Sequence, residues 1–221
     1  MPAAARSRKP RRPGRPPAGA DLRARLLDAA IACFTAHGIS ATSLRAVARA
    51  AGVTPALLHY YFGDRDKLVD ALIAERLMPV IGEMRASLAR NAGDSIDLSA
   101  TFVNTAFALI ERHPWFPQLW VREVLCEGGA LRELIIKRVA PQVPQQLEQH
   151  FRAAQKRGEL SRELDSRLLV VSLIGLTLFL SASAPIWRRM FRADDIDSDT
   201  LRRHTLALLD RGIDGGAGRK P

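Results

Sequence analysis

The sequence predicts an all-α protein, and three observations carry that prediction. Apolar residues recur at three- and four-residue spacing through most of the chain, caps and breakers punctuate the pattern, and no alternating strand pattern appears after Arg90. With 221 residues the chain can bury a sizeable core, as one large domain or as a small module on a larger one. Composition shifts place a basic arm at 1–19, a head of short helices at 20–80, a bundle of longer apolar helices at 81–212 and a Gly-rich flexible tail at 213–221.

The arm holds Arg6, Arg8, Lys9, Arg11, Arg12 and Arg15 and no acid, so it carries six of the ten positive charges by which bases exceed acids in the whole chain. Lacking periodicity and rich in Pro and Ala, it is expected to be disordered when free and to bind by charge. Gly14-Arg15-Pro16 resembles the core of an AT-hook, in which an extended arginine enters the minor groove. Pro13 stands where such a hook has its first arginine, and a plain solvated basic tail accounts for the same residues. Next, Asp21 is placed to cap a helix over Leu22 to His37, with Leu26, Ala30, Cys33 and Phe34 on its buried face and Gly38 as its stop.

Ser43 to Phe62, SLRAVARAAGVTPALLHYYF, reads as a helix-turn-helix. Ser43 can cap a first helix that buries Leu44, Val47 and Ala48; Gly52 can take the positive φ of a sharp turn. Thr54-Pro55 then offers an oxygen cap and a pre-set first position for a second helix. Leu58 and Phe62 fall on the buried face of that helix. Ala56, Leu57, His59, Tyr60 and Tyr61 fall outward, a choice no core explains and an ordinary αα-hairpin does not require. Asp64 opens a further helix, with Asp66 in its first turn and Leu68, Leu72, Ile73 and Leu77 on one face; Pro79 should bend or stop it.

The rest reads as helices with short breaks. Leu98 to His113 is apolar nearly all round, as a helix buried on most sides must be. His113-Pro114-Trp115-Phe116-Pro117 interrupts it, and Trp115, Phe116 and Trp120 begin a short helix that ends near Cys126, before Gly128-Gly129. Leu131 to Gly158 continues at helical spacing, with Pro141 and Pro144 expected to kink or divide it. Leu168 to Trp187 holds no charged residue over twenty positions, which is long enough to raise a membrane span. Ser172, Thr177, Ser181 and Ser183, with Gly175 and Pro185, favour a core helix instead. Asp197 or Ser198 is expected to cap a last helix, with Leu201, Thr205, Leu208 and Leu209 on one face and Gly212 at its end.

Cys33 and Cys126, both on predicted helices, match neither a zinc spacing nor a disulfide framework, so a reducing compartment and no metal are expected. No apolar run follows the basic N-terminus, which argues against a secretory signal and for a cytoplasmic, nucleoid-associated protein. An enzyme finds little support: His113 has no paired nucleophile or carboxylate at a recognisable spacing, and His37, His150 and His204 suit structural roles. No catalytic residue and no cofactor is expected.

Leu26-Leu27-Asp28-Ala29-Ala30 through Ala41-Thr42-Ser43-Leu44, Ala48 through Gly52-Val53-Thr54, and Tyr60-Tyr61-Phe62 through Lys67-Leu68 resemble the TetR/AcrR family of helix-turn-helix transcriptional regulators. The match covers about residues 20 to 80; beyond it the resemblance is one of helix number and length. It implies three DNA-binding helices, a fourth connecting helix, and a larger bundle that binds a small molecule. It further implies a homodimer paired through the last two long helices, about Asp165 to Phe191 and Ser198 to Arg211, with Leu169, Leu173, Leu176, Leu180, Leu201, Thr205 and Leu208 as candidate contacts. By the same resemblance Thr42, Ser43, Tyr60 and Lys67 fall where the family contacts phosphate, and Arg45, Pro55, Ala56, Leu57 and His59 where it faces bases. Thr54, Tyr61 and Arg15 complete the candidate DNA-binding set. Hydroxyls, helix N-termini and a lysine suit phosphate oxygens, while base edges demand bidentate donors or methyl contacts.

In the bundle, Phe102, Phe107, Trp115, Phe116, Trp120 and Phe179 are candidate lining for an apolar ligand, with Asn104 and His113 to orient it. The same aromatics would also serve simply to fill a core. The leading expectation is therefore a repressor that reads a palindrome-like operator on double-stranded DNA and is released by a small apolar ligand. A constitutive or architectural DNA-binding protein without an effector is the alternative.

Overall fold

The computed structural model of the chain describes residues 18–90 and 95–213. Among them there is no strand, and the helices fall into a head and a bundle that share one continuous core. The head begins with α1, Ala18–His37. It starts earlier than the cap at Asp21 predicts: Asp21 lies in its first turn, where a carboxylate favours the positive helix end. Gly38 ends α1 at φ +87°, its N–H donating to Phe34 O at 2.8 Å.

The helix-turn-helix consists of α2, Leu44–Ala50, and α3, Pro55–Phe62. Each is short, and each begins on an extended residue whose side-chain oxygen accepts an N–H of its first turn. Ser43 Oγ takes Ala46 N–H at 3.2 Å and Thr54 Oγ1 takes Leu57 N–H at 3.3 Å. Gly52 makes the turn at φ +68°. Val47, Ala48, Leu58 and Phe62 seal the pair against Leu26, Leu27, Ala30 and Phe34 of α1.

Asp64 caps α4, Arg65–Leu72, by accepting Lys67 N–H at 2.9 Å. Pro79 does not stop the chain's helical course. A single π turn, Ile73–Leu77, leads straight into α5, Met78–Arg90. The missing N–H of Pro79 would orphan the carbonyl of Glu75, four residues back; Arg76 Nη1 donates to that oxygen at 3.3 Å and satisfies it. The helix from head to bundle is thus one continuous arm with an adjusted turn at its middle.

The bundle is built from α5, α6 (Ser95–Arg112) and α7 (Trp115–Trp120), the last running into a π turn at Val121–Leu125. It continues with α8 (Arg132–Leu134), a π turn at Ile135–Val139, and α9 (Pro144–Arg157). Pro141 and Pro144 divide this stretch: the chain leaves helix after Val139 and re-enters with Pro144 at the first position of α9. Cys126 is not helical but extended, the residue on which the turn after α7 ends. Asp165 caps α10, Ser166–Ile174, which passes through a π turn at Gly175–Phe179 into α11, Leu180–Ala182. The expected single helix to Phe191 is broken. At Ser183 the axis bends by 69° into α12, Ala184–Phe191. No single helix among the described residues is long and apolar enough to cross a membrane. Asp197 Oδ1 accepts Thr200 N–H at 2.8 Å and opens α13, Ser198–Ile213. Gly212 lies inside that helix rather than after it.

Candidate nucleic-acid interface and ligand cavity

The caps that start α2 and α3 also equip them to meet phosphate. Ser43 and Thr54 use their oxygens as acceptors for the helix amides, so each hydroxyl hydrogen remains available to donate outward. Both residues are exposed, as are Arg45, Pro55, Ala56, His59 and Lys67. Among the described residues Tyr60 is the most open large hydrophobic side chain, 82% exposed. Leu57 is half-buried. Leu58 and Phe62 anchor the opposite face of α3, so its outward residues are carried on a fixed rod.

Two candidates are corrected by their surroundings. Thr42 is 3% exposed and its hydroxyl turns inward, donating to Gly38 O at 2.6 Å, so its side chain shapes the loop before α2 and is not offered to phosphate. Tyr61, expected outward, is half-buried and packs edge-on to Tyr60; its carbonyl accepts Arg23 Nη1 at 3.1 Å. Arg15 lies outside the described residues.

His59 Nδ1 meets the carbonyl of Gly63, the residue that ends α3 at φ +78°. A carbonyl only accepts, so Nδ1 carries the hydrogen, and of the two neutral tautomers this selects the one in which Nε2 is the acceptor. Lys67 stands 3.4 Å from Asp64 Oδ2, yet its ammonium stays open to solvent. Bonds from Lys67 also hold the Asp64 carboxyl below its ordinary value, its backbone N–H foremost.

Arg23 braces the head against the arm. Its guanidinium pairs with Glu75 at 2.6 Å and lies over the Phe62 ring, while Arg76 pairs with Asp28 of α1 at 3.1 Å. These pairs tie the π turn of the arm to α1, and the bond from Arg23 to Tyr61 O ties α1 to α3.

Within the bundle lies a cavity of about 70 Å³, walled by Val80, Ile81 and Met84 of α5, Phe102, Ala106 and Leu109 of α6, Phe116 and Trp120 of α7, and Ile174, Thr177 and Leu178. Its one hydroxyl is turned away: Thr177 Oγ1 donates to Leu173 O at 2.8 Å. Three of the candidate lining residues are therefore in place, Phe102, Phe116 and Trp120. The others are elsewhere. Phe107 is fully buried in the core, and Asn104 is exposed and accepts Arg202 Nη1 at 3.0 Å. His113 and Trp115 pack edge to face outside the cavity, and burial followed by the Arg112 charge pushes the His113 imidazole below its ordinary value. Phe179 is exposed and lines open clefts.

The candidate pairing face is likewise shifted. Leu169, Leu173 and Thr205 are buried in the chain's own core, and Leu176, Leu180 and Leu201 are half-buried. Leu208 is exposed. The stripe that α10 and the following π turn leave bare is Leu168, Val171 and Phe179, continued by Ile186, Met190 and Phe191 of α12. Leu168 sits one residue, about 100° of helix, from Leu169, and the sequence alone shows two apolar stripes there without saying which faces inward.

Nothing in the sequence assigns Glu123 a role. It is 4% exposed, and both carboxylate oxygens accept backbone N–H groups. No local pattern around it signals that.

A capped pair of short helices that presents Arg45, His59 and Tyr60 outward, joined by a continuous helical arm to a bundle with an apolar cavity, defines a helix-turn-helix DNA-binding protein with a separate sensing half. Residues 26–72 match the family model of bacterial regulatory proteins, tetR family, and residues 99–211 match that of the tetracyclin repressor-like C-terminal domain. The chain belongs to the TetR family of transcriptional regulators. Among its relatives, the regulator AqdR of Rhodococcus erythropolis is 30% identical over 166 residues, covering 72% of this chain and 73% of that one. SrpR of Pseudomonas putida is 26% identical over 159 residues, 71% of each chain. In fold, the chain is similar to the ketosteroid transcriptional regulator KstR2 of Mycobacterium tuberculosis, with a TM-score of 0.71 at 20% identity over 87% of this chain and 94% of that one. It is also similar to FadR of Bacillus subtilis in complex with stearoyl-CoA, with a TM-score of 0.64 at 19% identity over 86% and 98% of the two chains.

Proposed function

We propose that this regulator is a cytoplasmic repressor that binds a palindrome-like operator as a homodimer and is released by a ligand with a large apolar part. In this reading the head spans residues 20–80 and the sensing and pairing half 81–212. The observation that carries it is the cavity, whose walls offer hydrocarbon and aromatic surface and no unsatisfied polar group. A wall of this chemistry suits an acyl chain or another hydrocarbon group, the class of ligand held by the Bacillus subtilis relative.

Size supplies the switching argument. Pockets for drug-sized ligands run to roughly 300–1,000 Å³, whereas this void is about 70 Å³. A ligand of more than a few carbons enters only by moving α5, α6 or α7 apart. It must therefore prefer the opened arrangement over the closed one, and that difference in affinity is what shifts a population. The arm formed by α4, its π turn and α5 supplies part of the cavity wall and part of the head, so opening changes how the two heads of a dimer are spaced.

The test is reciprocal. Titration with long-chain acyl thioesters and free fatty acids, followed by Trp120 fluorescence and repeated with operator present, should give weaker ligand binding on DNA by the same factor by which ligand weakens DNA binding, typically about 5–150-fold. Equal ligand affinity with and without operator would remove the inducer role and leave a constitutive DNA binder with a packed core.

A further inference from the structure

We propose that Glu123, a residue of the sensing half, is a positioning residue for DNA reading: it holds the loop that opens the first helix of the helix-turn-helix. The inference rests on the DNA-reading assignment above and adds to it a hydrogen-bonded connection between the halves, beside the covalent arm and the shared core. Glu123 Oε1 accepts Ile39 N–H at 2.8 Å, across 84 positions of chain, and Oε2 accepts Ala130 N–H at 3.0 Å. Its own carbonyl accepts Leu131 N–H at 3.0 Å. One buried carboxylate thus joins the loop after α1 to the loop after α7, through charge-assisted bonds to backbone donors that no side-chain motion can withdraw.

The loop it grips is short and tightly tied. Thr42 Oγ1 donates to Gly38 O at 2.6 Å, Thr42 N–H to Ile39 O at 3.3 Å, and the next residue, Ser43, caps α2. Moving Ile39 therefore moves the start of α2. Two glycines leave room for this grip. A Cβ on Gly129 would stand 2.3 Å from the Glu123 carbonyl oxygen, and one on Gly38 would stand 3.2 Å from Oε1.

On the other side, Trp120 of the cavity wall precedes Glu123 by three residues, and the intervening backbone forms the π turn Val121–Leu125. Such turns are frequent at functional sites. Displacing Trp120 from the wall rotates the turn that carries the carboxylate. A buried charge of this kind adds little stability over an apolar residue of similar size, whereas leaving it unpaired is costly. Its two donors come from two halves of the molecule, so what it secures is their relative placement.

The test uses the full chain with no ligand, so its outcome is separate from that of release by effectors. Duplexes are first selected by the wild-type protein from a random pool. Glu123→Gln keeps the size but offers one oxygen to two N–H donors, and Glu123→Leu keeps the packing and removes both bonds. Measured quantities are affinity for the selected and an unrelated duplex, thermal midpoint, and amide exchange of Ile39 and Ala130 in the free protein.

The expected result is a loss of about tenfold or more on the selected duplex with little change on the unrelated one. Ile39 exchange should be about tenfold faster in at least one variant that retains its fold. Selected-duplex affinity within about twofold of wild type in both variants, or equal loss on both duplexes together with a collapsed thermal midpoint, would overturn the proposal. A wild-type protein that selects no sequence would overturn the DNA-reading assignment and this inference with it.

Discussion

At the scale of single residues, the interface sorts by what each side chain can still offer once its own bonds are made. The Nδ1–H of His59 is committed to the Gly63 carbonyl, so in the neutral ring Nε2 is the atom left to accept. An acceptor in the major groove pairs with the amino group of cytosine or adenine. His59→Ala should relax preference by ~1–3 kcal/mol at a base pair presenting such a group, whereas Lys67→Ala should weaken binding to every duplex alike. Competition against a set of singly substituted duplexes checks both, and a Lys67→Ala protein with changed sequence preference but intact nonspecific affinity would contradict the assignment. The caps at Ser43, Thr54, Asp64 and Asp197 were legible because each concerns a residue and the backbone three positions on. Thr42 and Glu123 were not. Thr42 bonds back to Gly38 across the turn after α1, where no cap pattern signals it, and Glu123 bonds to backbone 84 positions away that only folding brings near.

At the scale of elements, three helices begin on aspartates whose carboxyls are held below the ordinary 3.8. The backbone N–H of Lys67 does this for Asp64, the Arg167 guanidinium for Asp165, and the backbone N–H of Thr200 for Asp197. A group whose pKa is lower folded than unfolded stabilises the fold above its unfolded value, and that contribution disappears as pH falls through the folded value. The thermal midpoint should therefore drop as pH falls below about 4. The drop should be shallower in the triple variant Asp64→Asn, Asp165→Asn, Asp197→Asn, because asparagine caps a helix without titrating. Circular dichroism melts across that range check this, and parallel curves would show the caps to be irrelevant to acid stability. Helix existence was readable from apolar spacing throughout. Two elements depart from the simplest pattern: the helix runs on past Pro79 through a π turn, and α10 presents two apolar stripes of which the neighbouring one is bare.

At the scale of the whole molecule, one helix-turn-helix makes too few contacts for tight selection, and two-fold pairing doubles them. Recognition helices of a dimer enter successive major grooves about 34–36 Å apart. Leu168, Val171, Phe179 and Leu208 are bare apolar side chains, and the proposed pairing would cover them. Leu168→Glu with Val171→Glu should give a folded protein with the mass of one chain and without specific DNA binding, as read by light scattering and anisotropy. A dimer that survives both changes would move the interface elsewhere. Deleting residues 1–19 should lower affinity and flatten its salt dependence, since each phosphate neutralised adds about 0.9 to the log–log slope on duplex DNA. Up to six charges are removed, and an unchanged slope would make the arm a bystander. The void beside Trp120 has a consequence of another kind. It is about 70 Å³ of apolar-walled, incompletely closed space that unfolding eliminates, so hydrostatic pressure works against the empty bundle. A ligand seated there replaces void with matter, and the occupied protein should compress less and withstand higher pressure than the empty one.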